Sequence, residues 1–252
     1  MDLNEEIKPI TYLKNRTADL VRQVADSGQT VIITQNGEAR LAVMDVGEES
    51  MDLREKFYGC ICGAHIGSAM GAPVEGWEYA SIEEKYGTLS ELLPYEHYGN
   101  GWQRPAGTTE DGIERQKLMI WAMIDKGDRA NAEDVKRSWL RHIKPESAGM
   151  VSEPFEATLL AMAKAQLPGR DIGRYCDYAG LNSMARACHP LGLINAGDVS
   201  GAMEDVLEVG LLYQTDGSRG LKWACVTAVA IAAATMPGAA VDTVLGAILD
   251  SW

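Results

Sequence analysis

Apolar positions change period along the chain, and each change marks an element. Residues 8–11 are short and extended. From Lys14 to Asp26 the apolar residues Leu20, Val21, Val24 and Ala25 recur at helical spacing, with Leu13 and Thr17 leading into the same stripe. Gly28 follows as a C-cap. Two β-rich runs, Thr30–Thr34 and Ala39–Met44, then flank Asn36-Gly37, the strongest short signal for a hairpin. The pattern predicts a β-α-β-β unit. A unit of about forty residues buries too little to be robust alone, so it calls for a partner.

The polar stretch VGEESMD ends this unit and is read as a linker, placing one domain at 1–46, a linker at 47–52 and a second domain at 53–252. Beyond it the periodicity is helical. Leu53–Gly71 carries Gly59, Gly63, Gly67 and Gly71, a glycine at every fourth position along one face. Each costs about 1 kcal/mol against alanine, so close backbone approach to another helix or to a ligand is expected in return. Arg54, Glu55, Lys56 and His65 exclude a membrane-embedded glycine motif. Pro73 stops the helix, and Glu75 sits on the turn beyond it.

Gly107-Thr108-Thr109-Glu110-Asp111-Gly112 opens another helix, with Leu118, Met119 and Met123 on its apolar face. Two readings stand side by side. Thr108-x-x-Asp111 fits a capping signature, and acids suit a first helical turn. Adjacent carboxylates beside a threonine hydroxyl are also hard oxygen ligands, suited to Mg²⁺. Ser200–Leu212 reads as an amphipathic helix and Leu221–Thr235 as a core helix. The apolar run Trp223–Met236 is shorter than the roughly 18–20 residues of a membrane span. Val241-Asp242-Thr243-Val244 reads as an ordinary helix start.

A net charge of −13 and a pI near 4.8 argue against a protein that coats nucleic acid. The opening MDLNEEIKPI has no apolar signal core. Cys60, Cys62, Cys176, Cys188 and Cys225 are odd in number and lack zinc-site spacing, so they read as buried free thiols in a reducing, cytoplasmic compartment. Cys188-His189 are chain neighbours that cannot readily face one another, which disfavours a catalytic dyad.

The run PITYLKNRTADLVRQVADSGQTVIITQNGEARLAVMDV resembles the Phd/YefM antitoxin fold along its whole length. The resemblance implies a homodimer that binds operator DNA and a toxin partner. Lys8, Lys14 and Arg16 would be the first DNA-contacting residues, although residues 1–50 carry nine acids. Members neutralise the toxin with a C-terminal tail; here another domain follows.

GCICGAHIGSAMGAPVEGW is similar to the first helix of the ADP-ribosylglycohydrolases. That resemblance implies a glycine helix in the core of an all-α bundle and a Glu75 at the metal site. Thr109, Glu110 and Asp111 align with the family's Thr-Asp-Asp metal ligands, and Asn182-Ser183-Met184-Ala185-Arg186 through Gly192 resembles its Met-Arg-x-x-Pro-Leu-Gly segment. Gly67-Ser68 departs from the usual Gly-Asp, and Glu110 from the usual Asp. The family's late Asp-x-Asp-Thr motif is echoed only by Asp242 before the chain ends at Asp250-Ser251-Trp252, so half a two-metal site is expected.

The fold expected is therefore mainly α: an all-α ADP-ribosylglycohydrolase-like bundle behind a small α+β domain. The implied chemistry is hydrolysis of the bond joining ADP-ribose to a modified protein or small molecule. Mg²⁺ would be held by Thr109, Glu110 and Asp111, with Glu75 and Asp111 catalytic. Asn182 and Arg186 would contact substrate, and Gly107, in the glycine-rich stretch from residue 99, would cradle the diphosphate. The alternative is a non-catalytic antitoxin-like regulator that binds operator DNA or a partner. A third reading joins the halves, with the hydrolase reversing a toxin's ADP-ribosylation.

Overall fold

The computed structural model describes residues 7–27, 31–35, 38–43, 52–96, 101–144, 154–176 and 183–251. The expected Gly28 cap, the Asn36-Gly37 turn, the linker at 47–51 and Asn182 lie outside them. The chain divides into two compact units, Met1–Asp52 and Leu53–Trp252.

In the first unit, strand β1 (Ile7–Pro9) leads into helices α1 (Ile10–Asn15) and α2 (Thr17–Ser27), then strands β2 (Val31–Gln35) and β3 (Glu38–Val43). The sheet order is β1-β2-β3. β1 is parallel to β2, and β2 is antiparallel to β3 with Ile32 opposite Ala42. Ile10 and Thr11 are helical rather than extended, and Arg16 separates two helices where one was expected. Leu20 and Val24, one turn apart, pack on Val31 and Ile33 of the central strand, with Ile10, Tyr12, Leu13 and Val43 around them. Val21 is exposed instead of sharing that stripe, because residues 20 and 24 already fill the face that meets the sheet.

The second unit begins with α3 (Leu53–Gly71), a single 3₁₀ turn at Ala72–Val74, and α4 (Tyr79–Tyr86). A two-residue antiparallel ladder, β4 (Tyr95–Glu96) and β5 (Gln103–Arg104), precedes α5 (Asp111–Lys126) and α6 (Ala132–His142). Next come α7 (Pro154–Lys164), α8 (Gly169–Ile172), α9 (Ser183–Ala187), α10 (His189–Ile194) and α11 (Val199–Gly210). The alanine-rich α12 (Arg219–Ala234) and the terminal α13 (Val241–Asp250) complete it. α12 is the central post, packed against α9, α10, α11 and α13. Its Leu221, Ala224, Cys225, Ala228 and Ala232 enter a core shared with Leu118, Met119, Trp139, Leu191, Val206 and Tyr213. Gly192 lets α10 lie directly on α12: a β-carbon there would come within 2.8 Å of Ile231 Cβ.

The glycine helix departs from expectation. Only Ala69 of α3 is buried, and among the described residues nothing lies within 4 Å of a β-carbon built on Gly59, Gly63, Gly67 or Gly71. No neighbouring helix among the described residues uses the bare face, which borders open space and a cavity. Lys56 holds the start of α3 by donating to the carbonyls of Ala234 (3.1 Å) and Met236 (2.7 Å) at the end of α12. Cations suit that end of a helix.

Candidate active site

The capping reading of Thr108-x-x-Asp111 is not what the backbone does. Glu110 is the N-cap residue of α5 and makes no side-chain cap. The Thr108 hydroxyl donates to the Pro105 carbonyl at 2.7 Å instead. Gly107, at φ +84°, makes the turn before it. This places Glu110 and Asp111 at the mouth of the helix, pointing at different partners.

A cavity of about 410 Å³ lies beside them. One wall is α3, through Gly63, Gly67, Gly71 and Ser68, with Glu75 just past its end. The other is α5, through Glu110, Gly112, Ile113 and Gln116, joined by Arg186 and His189. Thr109, Asp111, Gly107 and Asp242 do not line it. The structure thus brings Glu75, Glu110 and Arg186 together and leaves the other described site residues outside the cavity wall.

Glu110 is gripped from two directions. Its N–H donates to Ser68 Oγ at 3.0 Å, and its carboxylate accepts from the Tyr95 hydroxyl. Burial, then the bond to Glu110, pushes the Tyr95 phenol far above its ordinary range, so it remains a donor. Sequence reading missed Tyr95, since a lone tyrosine fifteen residues upstream carries no motif. Ser68 was visible only as a departure from a family pattern.

Asp111 is 9% exposed and its carboxylate is filled. Oδ1 accepts from the Gly112 N–H at 2.8 Å and pairs with Arg186 Nη1 at 2.9 Å. Oδ2 accepts from Arg186 Nη2 at 3.1 Å and lies 2.6 Å from Arg115 Nη1, an ion pair without hydrogen-bond alignment. Burial alone would raise the Asp111 carboxyl, but the two guanidinium groups outweigh it and hold it below the ordinary carboxylate range. Arg115 is 2% exposed, and burial lowers its own affinity for the proton.

Behind these, the Gln116 amide nitrogen lies 3.0 Å from the Arg186 carbonyl and 3.1 Å from His189 Nδ1. The Gln116 amide can donate to Nδ1 of a neutral ring. Burial lowers the His189 pKa, which favours this neutral ring. Cys188 is fully buried against the Ala224 carbonyl at 3.4 Å, and burial drives its thiol up. It is not a poised nucleophile.

Among the described residues no three His, Cys, Asp or Glu side chains cluster as metal ligands. The set Thr109, Glu110 and Asp111 does not fit a Mg²⁺ centre as arranged. Octahedral coordination needs free oxygens at about 2.0–2.1 Å, whereas Asp111 is saturated by two arginines and a backbone amide.

In the first unit, Lys8 and Arg16 both approach the Tyr12 ring, at 5.5 and 5.9 Å from its centre. Lys14 is exposed on α1 and takes no part in that contact.

The family model for ADP-ribosylglycohydrolase matches residues 49–252, and that for the antitoxin Phd_YefM of type II toxin–antitoxin systems matches residues 5–55. An uncharacterized protein of Archaeoglobus fulgidus is 28% identical over 187 residues, which cover 71% of this chain and 56% of the relative. The chain therefore spans little more than half the length of that relative. The helical bundle, the glycine helix beside the acid-bearing turn and a family match over most of the sequence lead to one assignment: the chain belongs to the ADP-ribosylglycohydrolase family, behind an N-terminal Phd/YefM antitoxin domain.

Proposed function

We propose that the helical unit binds the ADP-ribosyl group of a modified protein or small molecule in the cavity beside α3 and hydrolyses its glycosidic bond. The observation that carries this reading is the convergence of Glu75, Glu110 and Arg186 on one 410 Å³ cavity in a chain of this family. That volume lies within the range of roughly 300–1,000 Å³ found for small-molecule sites. The glycine face lets a ligand approach the α3 backbone. Two carboxylates flanking a scissile glycosidic bond suffice for its hydrolysis: one protonates the leaving atom while the other takes a proton from the attacking water. Water adds to the ribose carbon, the bond to the target breaks, and free ADP-ribose leaves.

The test is release of ADP-ribose from an ADP-ribosylated protein, followed by mass spectrometry. Glu75→Gln and Glu110→Gln should each lower the rate by about 10²–10⁴-fold. Absence of release by the unaltered chain, with and without Mg²⁺, would remove the enzymatic reading. Mg²⁺ binding itself should be weak in calorimetry, because a cation would have to take Asp111 from two guanidinium groups.

The second reading, a non-catalytic regulator, is favoured by that same saturated Asp111 and by the antitoxin match. In it the N-terminal unit dimerises and binds operator DNA through Lys8, Lys14 and Arg16. The exposed apolar residues Ile7 and Val21 support pairing. A gel shift on the chain's own promoter, lost steeply with salt and on substitution of these three cations, would support it. A monomer at high micromolar concentration in sedimentation would count against pairing.

A further inference from the structure

Asp111 lies in the acid-bearing turn but does not line the cavity, and its carboxylate meets two arginines. We infer that in this chain Asp111 is a positioning residue for Arg186, and that the Arg186 guanidinium, so fixed, is a metal-independent binding site for the phosphate groups of the ligand. The inference rests on the reading that the cavity takes an ADP-ribosyl group.

The geometry supports a fixed cation. Arg186 Nη2 donates to Asp111 Oδ2 at 3.1 Å, and Nη1 lies 2.9 Å from Oδ1 as an ion pair. This two-pronged pairing sets the plane of the guanidinium as well as its place. Gly112 makes the approach possible: a β-carbon there would sit 2.9 Å from Arg186 Cβ. The backbone of Arg186 is held too, since its carbonyl accepts from Gln116. The Arg186 side chain keeps 39% of its surface exposed and lines the cavity. A guanidinium has five N–H donors, and Asp111 takes one hydrogen bond, from Nη2, so both terminal nitrogens keep a donor for a ligand. Phosphate oxygens are the ligand groups that such a planar, permanently charged donor set recognises.

The same contacts keep Asp111 from a cation. Arg115 is almost wholly buried, and its salt bridge to Asp111 is short, at 2.6 Å. Withdrawing the carboxylate to ligate a metal would strip a buried cation of that counter-charge and place a divalent ion close to two guanidinium groups. Arg115 and Asp111 therefore act as a fixed base for Arg186. Glu75 and Glu110 are the acids left to face the reacting part of the ligand.

Calorimetry with ADP-ribose and with inorganic pyrophosphate, each in EDTA and in Mg²⁺, tests this on the full chain. ADP-ribose should bind in EDTA. Arg186→Gln should weaken it about tenfold or more, and Arg186→Lys should recover only part of the loss. Asp111→Asn should weaken it comparably, and the double variant no further than either single one, as for two residues acting as one unit. Circular dichroism establishes that each variant is folded. If Asp111→Asn does not fold, Arg186→Gln and Arg186→Lys in EDTA still decide. Binding in EDTA that survives Arg186→Gln overturns the inference. So does an Asp111→Asn variant that binds normally in EDTA and loses only a Mg²⁺-dependent gain. Binding by the unaltered chain in Mg²⁺ alone overturns the inference while sparing the cavity reading; no binding in either medium removes both.

Discussion

Adding one methyl group at Gly112 and at Gly59 should shift stability in opposite directions. Both glycines are helical, so alanine brings a propensity gain of up to about 1 kcal/mol, smaller in a first turn. At Gly59 nothing among the described residues lies within 4 Å of the new β-carbon. Gly59→Ala should therefore keep most of that gain and raise the melting temperature by about 2–4 °C. At Gly112 the β-carbon would lie 2.9 Å from Arg186 Cβ and 3.5 Å from its carbonyl oxygen. Carbon atoms prefer about 3.5–4.0 Å, so the Arg186 segment must move away by roughly half an ångström or more. Overpacking of this kind costs about 1–3 kcal/mol and exceeds the propensity gain. The Arg186–Asp111 contacts, now at 2.9 and 3.1 Å, would stretch past the useful limit of about 3.2 Å. Gly112→Ala should lower the melting temperature by about 2–8 °C and weaken ADP-ribose binding, whereas Gly59→Ala should leave binding unchanged. Thermal and urea denaturation of the two variants, with calorimetry on each, provide the readout. A Gly59→Ala variant destabilised by more than about 1 kcal/mol would mean that the glycine face is packed in solution and would refute the reasoning for α3.

Three further outcomes are expected. Tyr95→Phe removes the hydroxyl that donates to Glu110 and should cost about 1 kcal/mol in urea denaturation, within the usual range for one hydrogen bond; an unchanged midpoint would show that the contact contributes nothing. Burial pushes the Asp134 carboxyl up, but Lys126 and the Asn131 N–H outweigh it and leave it below the ordinary range. A depressed native pKa stabilises above the unfolded value of about 3.9 and is lost as pH falls through the native value, so acid denaturation below about pH 4 should be less steep in Asp134→Asn. A thiol reagent should modify the partly buried Cys60 and Cys62 in the native protein and reach the buried Cys176, Cys188 and Cys225 only in denaturant; early loss of all five thiols would contradict the packing around α12.

Local pattern was enough for the elements and the fold class. Leu20 and Val24 one turn apart, β-rich runs either side of Asn36-Gly37, and an alanine-rich run at 221–235 each specify a backbone conformation within a few residues, because the periods of helix and strand are local properties. Motif resemblance extended this to the family. Local pattern also allowed Arg115 to meet Asp111, four positions apart on one helix. What the pattern could not decide is which far-off groups share a site. Glycines every fourth residue reveal a bare face on α3 but not whether a helix, a ligand or solvent lies against it. Thr108-x-x-Asp111 could be a cap or a ligand set, and in the fold Thr108 donates to Pro105 while Arg186, seventy-five residues on, pairs with the Asp111 carboxylate. Tyr95 reaches Glu110 only through the placement of a two-residue ladder with no motif of its own. These pairings depend on how the elements of the second unit pack together, and packing is set by the sum of many small burial terms spread over the whole core rather than by any one segment.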